Sequence, residues 1–160
     1  MVIPSLFIAY IAARSFLRTG NWPVMLMGVG TLTLGLAVLL SYLIRFWWPA
    51  NLGLTNFPII ALFAGLFYFF TALFLFSKAP PYEHGRNRIV ILLLVNISAI
   101  IMAITATIIS IYGILPPFFI QGVGLTALRQ IVIIMAALLF LISGVTIYQQ
   151  YLKTKFLMLY

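Results

Sequence analysis

Ile89-Val-Ile-Leu-Leu-Leu-Val-Asn-Ile-Ser-Ala-Ile-Ile-Met-Ala-Ile-Thr-Ala-Thr-Ile-Ile-Ser-Ile-Tyr112 carries no charged side chain. It is longer than the roughly 20 residues a helix needs to cross a 30 Å hydrocarbon layer. Comparable runs lie on both sides of it, at about 24–44, 57–76 and 127–149, with a shorter one at about 4–17. The chain has 160 residues, of which 65% are hydrophobic and only 6% charged, and its mean hydropathy is +1.23. A soluble domain is roughly a quarter charged, so ten charged side chains cannot clothe this one in water. The reading is all-α: a single polytopic transmembrane helix bundle of about five spanning helices, with the lipid bilayer as its first partner.

The breaks between runs carry turn chemistry. Thr19-Gly-Asn-Trp-Pro23 ends the first segment. Residues 45–56, with Pro49, Asn51, Gly53 and Asn56, read as a loop, and so do residues 77–88 and 113–126. Gln149 to Lys155 is a polar exit, after which Phe156-Leu-Met-Leu-Tyr160 turns apolar again. Residues 156–160 have the composition of the opening of a sixth helix, which predicts a truncated chain. An interfacial anchor is the alternative.

Nine Lys and Arg face one acid, Glu83. They are spread between apolar runs, where bases set topology, so a nucleic-acid partner is not expected. Arg14 and Arg18, then Lys78, Arg86 and Arg88, then Lys153 and Lys155 fall on one side if all five segments span. The positive-inside rule puts that side in the cytoplasm, with the N-terminus outside and the C-terminus inside. The base-poor connections 45–56 and 113–126 then face outward and are expected to approach each other.

Chemistry-bearing residues are few. With no cysteine, one histidine and one acid, no metal cluster, nucleophile–base pair or cofactor site can be assembled, and catalysis by this chain is not expected. Trp47, Trp48, Phe118, Phe119, Gln121 and Arg129 gather bulky apolar anchors and a few polar groups at the outer connections, the makings of a pocket for a small or lipophilic ligand. Thr31 with Gly35, and Ala99, Ala103 and Thr107, repeat small residues at four-residue spacing, which lets helices approach closely within the bundle or in a homodimer. Asn96, a mid-helix amide, is expected to hydrogen-bond to a neighbouring helix.

The string Leu115-Pro-Pro-Phe-Phe-Ile-Gln-Gly-Val-Gly-Leu-Thr-Ala-Leu-Arg-Gln130 resembles a segment of the membrane-associated sensor domains at the N-terminus of prokaryotic sensor histidine kinases and diguanylate cyclases. Pro117, Phe118, Gly122, Gly124, Leu125, Thr126 and Arg129 carry the resemblance. Ala127 departs from it where a proline is expected. Ala13-Arg-Ser-Phe-Leu-Arg-Thr-Gly20 is similar to the first cytoplasmic turn of such sensors. The resemblance implies a multi-pass input module of a signal-transduction protein in a prokaryotic plasma membrane, feeding a cytoplasmic kinase or cyclase region whose motifs do not occur in these residues. A small transporter or channel subunit, or a stand-alone structural membrane protein, is the alternative.

Overall fold

A computed structural model of the chain describes residues 2–47, 50–77, 82, 85–114, 118–120 and 124–157. Among them are five helices: α1 (Val2–Thr19), α2 (Trp22–Trp47), α3 (Ala50–Phe76), α4 (Gly85–Ile111) and α5 (Ala127–Leu157). A two-stranded hairpin, β1 (Phe119–Ile120) and β2 (Gly124–Leu125), lies between α4 and α5. All five helices are long and apolar enough to cross a membrane, with candidate spans of 18, 26, 25, 25 and 27 residues. The protein is therefore a multi-pass membrane helix bundle.

The α1–α2 turn follows from its residues. The Thr19 hydroxyl donates to Ser15 O (2.9 Å), and the Gly20 N–H closes on Phe16 O (2.7 Å). Gly20 sits at φ +70, the left-handed conformation that ends helices and that glycine adopts without steric cost. Pro23 then falls in the first turn of α2, where its missing N–H costs nothing.

α2 and α3 form the centre. α2 packs on α1, α3 and α4, while α5 packs on α3. Two buried clusters hold the bundle. One joins Phe16 of α1, Met25, Leu26 and Val29 of α2, and Ala99 of α4. The other joins Ala37, Ile60, Ala103 and Ala106 of α2, α3 and α4. Alanines recur because lipid is as apolar as a core, so packing relies on close backbone approach rather than on expelling bulky apolar groups from water. Leucines, isoleucines and phenylalanines instead line the outside, above all on α1, α4 and α5.

Three elements differ from the sequence expectation. α3 starts at Ala50, so most of the expected loop 45–56 is helical. Gly53 and Asn56 are not turn residues there. Gly53 lies so near α2 that a Cβ would come 2.9 Å from Ser41 O, and Asn56 is fully buried against α4. Packing against two neighbours has overridden local turn propensity. The helix even continues through Pro58. Secondly, the expected loop 113–126 contains the hairpin, in which Phe119 pairs with Leu125 and Ile120 with Gly124. Thirdly, Phe156 and Leu157 continue α5 rather than opening a separate helix; residues 158–160 lie outside the described residues.

Candidate functional site

The bundle has two ends of different character. At the first, the α1–α2 turn meets the α3–α4 connection. The Tyr82 N–H donates to Gly20 O (2.9 Å). The Arg88 guanidinium donates to Leu17 O (3.1 Å), Arg18 O (2.9 Å) and Tyr82 O (2.6 Å). The last carbonyls of a helix have no partner within it and carry the negative end of its dipole, so a guanidinium there satisfies both needs. Trp22 fills the space beneath, stacked on Phe74 (5.9 Å), edge-on to Tyr82 (5.8 Å) and tilted against Phe16 (5.8 Å). A side chain at Gly20 would strike Tyr82 O and Arg88. Among the described residues, no buried side-chain polar atom at this end lacks a hydrogen-bond partner.

The other end gathers the close of α2, the opening of α3, the hairpin and the start of α5. β1 packs against α3. Phe118 is 2% exposed, and its carbonyl accepts from the Thr126 N–H (3.1 Å). Three buried side-chain atoms among the described residues have no hydrogen-bond partner: Ser41 Oγ, Thr126 Oγ1 and Arg129 Nε. All three belong to this end. Ser41 also lines a groove of about 340 Å³ between α2 and α3, together with Tyr42, Arg45, Gly53 and Phe57. An unpaired buried donor or acceptor costs on the order of 1–3 kcal/mol, so three of them mark where a ligand with polar groups would be stabilised most.

The residues singled out in the sequence are distributed unevenly. Phe118 and Arg129 are both at the hairpin end. Trp47 is exposed, its ring edge-on to Phe46 at 5.6 Å. Trp48 and Gln121 lie outside the described residues, as do Lys78, Glu83 and His84. Phe119 is placed by its ladder pairing with Leu125, and its side chain is outside the described set.

Thr31 and Gly35 meet different neighbours. The Thr31 hydroxyl donates to Met27 O (2.9 Å) and pairs with the Tyr68 hydroxyl of α3 (2.6 Å). Gly35 faces α1, where an added Cβ would come 2.7 Å from Ser5 Cβ. The pair thus wedges α2 between α1 and α3. Ala99 and Ala103 are buried in the two clusters. The Asn96 amide donates to Leu92 O of its own helix (2.8 Å). The cross-helix amide is Asn56, whose Nδ2 donates to the Thr107 hydroxyl (3.2 Å), which in turn donates to Ala103 O (2.8 Å).

Sequence reasoning passed over Ser41, Asn56 and Arg88. Asn56 reads in the sequence as a loop residue beside Asn51 and Gly53, and the partners of Arg88 are backbone carbonyls without any sequence mark. Among the described residues no three His, Cys, Asp or Glu side chains could hold a metal. No protein-family model, curated protein or solved structure matches the chain.

Proposed function

We propose that this chain is a membrane-embedded input module of a signal-transduction protein, which takes up a small lipophilic anion at the hairpin end and transmits occupancy along α5. The observation that carries the reading is the concentration of unpaired buried polar atoms, Ser41 Oγ, Thr126 Oγ1 and Arg129 Nε, at that one end. Arg45 beside the Ser41 groove adds a second cation. The α2–α3 groove holds one guanidinium and one hydroxyl, Arg45 and Ser41, and the start of α5 offers another of each, Arg129 and Thr126; such groups beside apolar walls suit a carboxylate or phosphate on an apolar body.

α5 supports the transmitting role. Its 31 residues rise about 46 Å, against a hydrocarbon core of about 30 Å. It begins at Ala127, two residues after the hairpin at the ligand end, and is longer than that core is thick. Seven of the nine bases belong in sequence to the Arg88 end, which the positive-inside rule assigns to the cytoplasm. The similarity of residues 115–130 to the sensor domains of prokaryotic histidine kinases and cyclases fits the same reading and a prokaryotic plasma membrane.

Thermal unfolding of the protein in nanodiscs with decanoate, or with decanol as the uncharged control, tests the ligand step. Binding to the folded state alone raises the midpoint. Decanoate is expected to raise it in the wild type, less in Arg45→Gln and not in Arg129→Gln, while decanol leaves all three alike. Equal shifts in the wild type and Arg129→Gln would overturn the assignment.

A further inference from the structure

A second crevice lies at the opposite end, between α5 and the α2–α3 pair. Tyr68, Phe140, Ser143, Gly144, Tyr148 and Tyr151 line its volume of about 470 Å³. We propose that it seats one acyl chain of an anionic phospholipid, with the headgroup at Lys153.

The chemistry of the walls selects hydrocarbon. The Tyr68 hydroxyl is already paired with Thr31 (2.6 Å), and the Ser143 hydroxyl donates to Leu139 O. Both therefore present carbon to the space. This is the reverse of the hairpin end, where polar atoms are left over. The space over Gly144 is open, since a Cβ there would meet nothing within 4 Å. The space is too small for a helix, which is about 10 Å across with its side chains.

Length and charge identify the chain's owner. From Phe140 to Tyr151 α5 rises about 16 Å, close to half of a core about 30 Å thick, which is the depth of one leaflet. Tyr148 and Tyr151 are exposed at the far end, where aromatic rings favour the headgroup layer. Lys153, also exposed, follows two residues later and offers a positive charge to a phosphate at that level. The proposal does not rest on the ligand reading of the hairpin end.

The test uses nanodiscs of equal phosphatidylglycerol and phosphatidylcholine. The protein is released into mild detergent and retained lipids are counted by native mass spectrometry. One phosphatidylglycerol per chain is expected, preferred about five-fold over phosphatidylcholine for one lysine at the surface. Gly144→Phe, which fills the crevice, should retain none. Lys153→Gln should retain a lipid without preference. No retained lipid in the wild type, no headgroup preference there, or retention by Gly144→Phe equal to wild type would each overturn the proposal. Should Gly144→Phe not fold, the wild-type preference and its loss in Lys153→Gln decide.

Discussion

At the Arg88 end α1, α2, α3 and α4 are tied together: Gly20 to Tyr82, Arg88 to α1, Trp22 to three rings. At the hairpin end the elements meet, yet Ser41, Thr126 and Arg129 keep buried atoms unpaired. The same sequence thus builds one end for stability and leaves the other with interactions unmade. Unsatisfied buried groups in a folded protein are a cost, which a bound polar ligand would relieve. The contrast predicts that substitutions at the Arg88 end lower stability, whereas substitutions at the hairpin end lower ligand response.

The largest loss is expected for Gly20→Val. A β-branched residue at φ +70 costs about 1–2 kcal/mol, and its clash with Tyr82 O and Arg88 adds about 1–3 kcal/mol. Reversible unfolding in mixed micelles reads this directly. Arg88→Gln comes next, at about 2 kcal/mol, because carbonyls of Leu17, Arg18 and Tyr82 lose a charged donor. Asn56→Leu should cost about 1 kcal/mol, the usual scale for an interhelical polar pair in a bilayer. Ser41→Ala is the smallest and has the opposite tendency: it removes a buried hydroxyl that bonds nothing, so stability stays level or rises by up to about 1 kcal/mol. A clear loss for Ser41→Ala, or none for Arg88→Gln, would erase the distinction between the ends.

Much of the fold was legible because a bilayer imposes length and apolarity together. The run 89–112 could be little else, and α4 covers Gly85–Ile111. What was not legible depends on tertiary contact. Asn51, Gly53 and Asn56 carry turn propensity, yet the approach of Gly53 to Ser41 O and the bond of Asn56 to Thr107 hold them in α3. Thr31 and Gly35 are four apart, but a helix wedged between two neighbours assigns them to different partners. At the candidate site, Arg129 and Phe118 stood out by residue type. Ser41 did not, since a hydroxyl in an apolar run usually bonds a carbonyl four residues back, as Thr33, Thr71 and Ser110 do here.

On the proposed topology the two ends lie on opposite sides of a membrane crossed by five helices, with the Arg88 end in the cytoplasm. The chain has no cysteine, so single-cysteine variants need no altered background. Asn87, in the first turn of α4, and Ile114, three residues past its end, are both exposed. With a membrane-impermeant maleimide, Ile114→Cys is expected to label in intact cells and Asn87→Cys only after permeabilisation. Labelling of both from the same side would contradict the span of α4 and with it the five-helix bundle, and the reverse pattern would contradict the orientation.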